Sequence, residues 1–507
     1  MFNDITLPEL NAVMVNARQA FVQYRNVSGK SRAAFIETII SEIENIGAAL
    51  ISQAMEETNL PEARIAGERA RTINQLRQFA ELLKEGSWVE ARIDTAIPDR
   101  PPLPKPDIRK MFVPLGPVVV FGASNFPLAY STAGVDTASA LAAGCSVVLK
   151  AHPAHPKTSE LVAQAIAKAI AKCNIHPHVF QHVHGASFEI GKALVQHRET
   201  KAVGFTGSFS GGKALLDYAQ QREEPIPVFA EMGSINPVII LPGATKNHME
   251  KIAEQYAASI TQSVGQFCTN PGLMLAIKSE DLNGLVKSLG DKLKQVPPAF
   301  MLHPGISKSF YSKREHALAQ DTVSLIAQTT TERPVNMGVP TLATVDADDF
   351  ETNPVLLEEV FGPYSLLVQA DTMEELKRAV AKIPGQLTCT ILGDEADLEQ
   401  HRDFIQLVME RAGRVIINGV PTGVEVCPSM HHGGPWPSTT DSRFTSVGTD
   451  AIKRFVRPVS FQNFPDSLLP VELKNSNPLK IGRMVNGKVV VWSLQAGTFE
   501  GPTIHSL

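Results

Sequence analysis

From Val118 onward, short apolar runs alternate with longer amphipathic stretches. Val118–Gly122, Ser146–Lys150, Phe180–His184 and Ala202–Thr206 read as strands. Between them Pro127–Ala143, Thr158–Cys173 and Phe188–His197 read as helices, the second with Leu161, Val162, Ala165, Ile166 and Ala169 on one face. Strands that are apolar throughout, separated by helices, imply a parallel sheet covered on both faces. That is an architecture of the dinucleotide-binding kind. A second α/β unit starts at about Asn236. Its predicted helices are Glu250–Gln262, Leu282–Leu293, Met373–Ile383 and Leu398–Arg411, and its strands Leu273–Lys278, Leu387–Leu392 and Arg414–Asn418.

The flanks read differently. Residues 8–85 are helical in pattern, and Phe35, Ile36, Ile39, Ile40, Ile43, Ile46 and Leu50 fall on one stripe. Residues 96–117 carry prolines at 98, 101, 102, 104, 106, 114 and 117, so this arm is extended and wraps the surface or joins an edge strand. Met484–Trp492 reads as a hairpin in which Asn486-Gly487 supplies the two positive-φ positions of a type I′ turn. The expected division is 1–235 for the helices, arm and dinucleotide-binding unit, 236–430 for the catalytic unit, and 431–507 for a C-terminal bridging or oligomerisation segment.

Composition narrows the function classes. The chain has 507 residues, 43% hydrophobic and 20% charged, with net charge −5, which describes an ordinary globular protein of more than one domain. Nothing suggests a nucleic-acid or anionic-membrane partner. The first twenty residues include Asp4 and Glu9 and no long apolar run, and no segment reaches the ~18 apolar residues of a membrane helix. Cys145, Cys173, Cys268, Cys389 and Cys427 are scattered without CxxC spacing, so neither a zinc site nor a disulfide framework is expected, and a reducing cytoplasm suits them.

Three stretches carry candidate chemistry. Cys268 sits in a turn between Gly265 and Asn270-Pro271-Gly272, where a thiol faces a cleft or serves as a small buried hydrophobe. Glu231 ends the apolar run Val228–Ala230 and is either a cation's partner or a general base in a dry pocket. Asn125 stands where the first strand turns toward a helix, and its amide either caps that helix or donates to a developing oxyanion. Gly207-Ser208-Phe209-Ser210-Gly211-Gly212 follows the strand Ala202–Thr206 and opens a helix at Lys213–Gln220, whose start is a place for a pyrophosphate. His176, His178, His182 and His184 cluster, but they straddle a turn with no acidic or cysteine partner nearby in sequence, so no metal centre is expected. His431-His432 lies in a turn-rich loop, either at a substrate mouth or on the surface.

Taken together, Asn125-Phe126-Pro127, Gly204–Ser208, Glu231-Met232-Gly233, Gly265–Cys268 and Glu358–Pro363 resemble the motifs of the aldehyde dehydrogenase superfamily, in family order. The spacing from Glu231 to Cys268 (268 − 231 = 37) is of the family's kind. Gly433–Arg443, Ser446–Thr449 and Lys453–Pro458 resemble the branch of 2-oxoglutarate semialdehyde (2,5-dioxopentanoate) dehydrogenases and related NADP-linked enzymes. The resemblance implies an aldehyde-dehydrogenase-like α/β fold with Cys268 as nucleophile, Glu231 as base for deacylation and Asn125 as oxyanion donor. It implies a dinucleotide held by Lys150, His152, Pro153, Gly207, Ser208, Gly211, Glu359 and Phe361. Many NAD-preferring relatives carry a glutamate where this chain has Pro153, so NADP is the expected cofactor, with NAD also possible; Lys150, with His152 or His155, would meet its phosphate. The expected substrate is a small aldehyde with a carboxylate, 2-oxoglutarate semialdehyde, held by Arg443 unless that residue is in a structural ion pair. The alternative is a long-chain aliphatic aldehyde along Phe126, Phe267 and Trp436, and a more remote one is a cysteine hydrolase without dinucleotide. A homodimer or homotetramer is expected.

Overall fold

The computed structural model describes residues 2–491. Its first sheet has five parallel strands in the order Phe180–Val183, Val147–Lys150, Val118–Phe121, Ala202–Thr206 and Val228–Glu231. Val118, Val119 and Val120 are buried because helices cover both faces, as a run without polar alternation demands. The strand order reverses at Val118–Phe121, the switch point at which open α/β sheets bind ligands. The carboxyl ends of these strands carry Lys150, Asn125, Ser208 and Glu231 toward one side.

The second sheet has seven strands in the order Ser324–Gln328, Thr341–Asp346, Tyr364–Ala370, Leu273–Ile277, Val238–Ile240, Gln386–Leu392 and Ala412–Ile417. Ser324–Gln328 at its edge is antiparallel to its neighbour, and the other pairings are parallel. The third sheet joins Val456–Gln462, Ile108–Pro114, Arg92–Asp94, Arg483–Val485 and Lys488–Val490. The proline-rich arm is therefore not an edge. Its prolines from 98 to 106 precede the strand, and Ile108–Pro114 pairs on both sides, with Val456–Gln462 and Arg92–Asp94. In the hairpin, Asn486 and Gly487 have φ of 47° and 79°, as a type I′ turn requires. Trp492, the last residue of the expected hairpin, lies outside the described residues.

Helix bounds depart from the hydrophobic pattern where a side chain or a glycine intervenes. The stripe from Phe35 to Leu50 breaks at Gly47 (φ 64°), and Leu50 belongs to a separate helix, Ala48–Thr58. The expected helix Pro127–Ala143 forms only over Val135–Ala143. The buried Glu68 carboxylate accepts the N–H groups of Leu128 and Ala129 at 2.8 and 2.9 Å, and so holds that segment in turns. Leu398–Arg411 divides into Glu395–Gln400 and Arg402–Met409. The helix expected from Lys213 starts at Phe209, with Ser208 as its N-cap.

Candidate active site

Three separate pieces of chain meet at the end of the first sheet. Glu231 closes the strand Val228–Glu231, and its carbonyl accepts the Gly207 N–H at 3.0 Å. The C-terminal segment returns beside this strand: Met232 N–H donates to the Ser438 carbonyl (2.8 Å) and Thr440 N–H to the Ala230 carbonyl (3.1 Å). That return carries His432 and Ser446. Cys268 arrives from the second unit, on the turn between the helix Pro242–Thr261 and the strand Leu273–Ile277. Ser263, Val264 and Gly265 all have positive φ (48°, 58° and 65°), which β-branched Val264 adopts at a cost. At Gly265 a Cβ would lie 2.3 Å from the Gly362 backbone, so only glycine fits. Buried Asn236 donates from Nδ2 to the carbonyls of Cys268 and Asn270, both at 2.9 Å, tying the cysteine turn to the linker that follows Glu231.

His432 Nε2 lies 3.1 Å from Glu231 Oε1 and 3.5 Å from Cys268 Sγ. Ser446 Oγ donates to the other Glu231 oxygen at 2.5 Å, and Ser446 N–H donates to the His432 carbonyl at 2.8 Å. Burial pushes the Glu231 carboxyl up, but the charge and hydrogen bond of His432, with donors from Ser446 and Cys268, outweigh it and hold the group below its ordinary value. The Cys268 thiol moves the opposite way. Burial raises it well above an ordinary thiol, the Glu231 and Glu359 carboxylates add to this, and Arg71 opposes. The resting pair is thus a protonated thiol beside an ionised carboxylate. The sequence leaves His432 open between a substrate mouth and the surface; the structure decides for the site, because the pairing of the return with Val228–Glu231 brings it to Cys268 across 164 residues, and with it Ser446, for which the sequence suggests no such role.

The other candidates divide. Asn125 donates from Nδ2 to the Gln266 carbonyl at 3.2 Å, beside the cysteine turn. Phe126 and Phe267 pack edge to face with centroids 5.6 Å apart, and the Arg64 guanidinium lies over both rings at 4.4 and 5.2 Å. Trp436 does not join them. It is 48% exposed and packs on Phe209, 5.6 Å away. Arg443 is 79% exposed in its side chain and paired with Asp441, donating from Nε at 2.8 Å, so it is the ion pair and not the anchor of a buried carboxylate.

On the dinucleotide side, Ser208 caps the helix Phe209–Gln220, its hydroxyl accepting the Gly211 N–H at 3.2 Å. The N–H groups of Phe209 and Ser210, in the first turn, have no intrahelical acceptor and suit a phosphate. Glu359 and Phe361 line a pocket with Ser234, Gly265 and Phe267. Burial pushes the Glu359 carboxyl up to about 7 against the Lys313 charge and the Ser234 N–H. At Gly233 a Cβ would come within 2.8 Å of a Glu359 carboxylate oxygen, so this glycine makes room for it. Lys150 is half-buried at the end of its strand, its ammonium lowered by burial and supported by Asp4. His155 is turned inward, with Nε2 2.7 Å from the Ala123 carbonyl, and His152 stacks on it, with Nδ1 accepting the Ala154 N–H at 3.1 Å. Burial lowers both histidines, so neither supplies a cation beside Lys150. The residues present fit a nicotinamide dinucleotide.

A thiol beside an ionised carboxylate at the end of a dinucleotide-type sheet suits covalent catalysis next to a bound dinucleotide. Residues 2–459 match the aldehyde dehydrogenase family, and the chain belongs to that family, whose members are oxidoreductases acting on aldehydes with a nicotinamide dinucleotide. It is 47% identical over 488 residues to the alpha-ketoglutaric semialdehyde dehydrogenase of Acinetobacter baylyi, covering 96% of this chain and 92% of that one. It is 48% identical over 472 residues to alpha-ketoglutaric semialdehyde dehydrogenase 2 of Azospirillum brasilense, covering 93% and 90%. The betaine aldehyde dehydrogenase of Staphylococcus aureus, solved in complex with NAD+, shares the fold at 20% identity with a TM-score of 0.77, covering 91% of this chain and 90% of that one. No described helix is long and apolar enough to cross a membrane.

Proposed function

We propose that the protein oxidises 2-oxoglutarate semialdehyde to 2-oxoglutarate through a thioester on Cys268. The observation that carries this reading is the similarity, over nine-tenths or more of each chain, to two enzymes named for that substrate. Cys268 sulfur adds to the aldehyde carbon, and its proton passes to the Glu231 carboxylate. The Asn125 amide donates to the oxyanion that forms, a contact typically worth about 3 kcal/mol. A bound nicotinamide dinucleotide supplies the hydride acceptor. Glu231, its proton lost to solvent, then takes one from water, which attacks the thioester and frees the acid. His432 Nε2–H and Ser446 Oγ–H hold Glu231 ionised and aimed for both proton transfers.

The substrate's distal carboxylate needs a cation in a dry pocket. Arg64 and Arg71 stand two turns apart on the helix Glu62–Glu85. Arg64 covers Phe126 and Phe267 but is paired through Nη1 with the buried Glu68 carboxylate at 2.8 Å, whereas the Arg71 charge is felt at Cys268. Arg71 replaces Arg443 as the carboxylate's holder. NADP serves at least as well as NAD, because Pro153 offers no carboxylate to repel a 2′-phosphate and Lys150 is the cation there. The assembly is a homodimer or homotetramer, for which the edge hairpin, with Val489 70% exposed, offers a surface, and the compartment is the cytoplasm. The test is kcat/KM for the semialdehyde against hexanal, with each cofactor. Arg71→Leu should lower the semialdehyde value about 10- to 100-fold more than it lowers the hexanal value. A higher value for hexanal in the unmodified enzyme would overturn the substrate assignment, and a strong preference for NAD would overturn the cofactor assignment.

A further inference from the structure

We propose that Glu160, His182 and His184 form a binding site for a divalent transition cation of zinc-like chemistry, at the edge of the dinucleotide sheet and apart from the Cys268 site. The four clustered histidines of the sequence separate in the structure. His176 and His178 pair with each other, the His178 N–H donating to His176 Nδ1 at 3.2 Å. His182 and His184 instead leave one face of the edge strand at alternate positions. The helix Pro156–Lys172 packs there and brings Glu160, an acidic partner that sequence proximity does not reveal. Glu160 Oε2 stands 3.3 Å from His182 Nδ1 and 3.4 Å from His184 Nε2. All three candidate ligand atoms lie within 4.8 Å of one another. Ligands about 2.0–2.1 Å from a tetrahedral zinc are about 3.3–3.4 Å apart, so two edges of the tetrahedron are already set.

The imidazoles are also fixed in advance. His182 Nε2 pairs with Ser159 Oγ at 2.8 Å, and that hydroxyl pairs with buried Thr132 Oγ1 at 2.6 Å. Such an outer partner on the second ring nitrogen is what orients metal-binding histidines. His184 stacks on Phe2 with centroids 4.1 Å apart, and its carbonyl accepts the Ile5 N–H at 3.0 Å. The side chains of His182, His184 and Glu160 are 9%, 18% and 36% exposed, which leaves a way in for the ion and a water as fourth ligand.

The test uses the full chain carrying Cys268→Ala, because Glu231, Cys268 and His432 also gather ligand atoms within 4.8 Å and the thiol would bind metal itself. Cobalt(II) is titrated by its visible absorption and then displaced with zinc. The expected result is one equivalent per chain with nitrogen/oxygen-type bands. Glu160→Gln and His184→Gln should each weaken binding about tenfold or more, and His176→Gln should change nothing. His184 does not share the buried Ser159 contact of His182, so His184→Gln tests the site without disturbing that packing. Absence of the bands, or an affinity unchanged by both Glu160→Gln and His184→Gln, would overturn the proposal.

Discussion

Two carboxyls flank the cysteine turn, buried Glu231 and half-buried Glu359, and their surroundings drive them apart. Glu231 receives donors from His432 and Ser446 on separate oxygens and is held below its ordinary value. Among the described residues Glu359 has no such set. Lys313 donates to the Glu359 backbone carbonyl at 3.1 Å instead of to its carboxylate, and burial pushes the carboxyl up to about 7. Burial alone moves a carboxyl upward, and an ionised base in a dry site requires purpose-placed donors. The contrast separates a carboxylate that stays ionised beside the thiol from one whose charge changes near neutral pH.

The comparison breaks most severely at its centre. Cys268→Ala should lower aldehyde oxidation on the order of 10⁴-fold or more, while dinucleotide binding, read by fluorescence titration, survives. Retained turnover would leave the flanking carboxyls with no nucleophile to serve. Next, His432→Ala strips Glu231 of its largest charge partner. The Glu231 pKa should rise, and kcat should fall about 10²- to 10³-fold, with the acidic limb of the pH profile moved to higher pH. An unmoved limb would mean that His432 only fills space.

The smallest effect sharpens the other half. A carboxyl raised from 4.5 to about 7 on folding binds its proton more tightly in the native state. Stability from this group is therefore present at low pH and lost as pH rises through that window. Glu359→Gln should flatten this part of the thermal-unfolding curve between pH 5 and pH 7. Glu231 has the reverse sign: its contribution is present above 4.5 and is lost only as pH falls through its lowered native value.

The alternation from Val118 to Thr206 made the parallel sheet readable, because strands buried on both faces leave no other pattern. The cysteine turn and Glu231 were readable as well, each lying in a short local motif. What failed to show depended on distance. Glu68 reaches 60 residues along the chain to stop a helix at Leu128, and His432 reaches Glu231 across 201. Arg443 misled because the carboxylate beside it in sequence, Asp441, already holds it. The strands Thr341–Asp346 and Tyr364–Ala370 went unpredicted, although Val368 and Ala370 are fully buried.

The central claim, that Glu231 is the base that frees the acid from Cys268, is tested most directly by rapid mixing of Glu231→Gln with aldehyde and dinucleotide at pH 9. Removing the carboxylate charge lowers the Cys268 pKa, so the first turnover should proceed there without the base. The predicted trace is a burst of one reduced dinucleotide per chain, followed by a steady rate about 10²- to 10⁴-fold below the unmodified enzyme. A steady rate equal to that of the unmodified enzyme, or the absence of any burst, would contradict it.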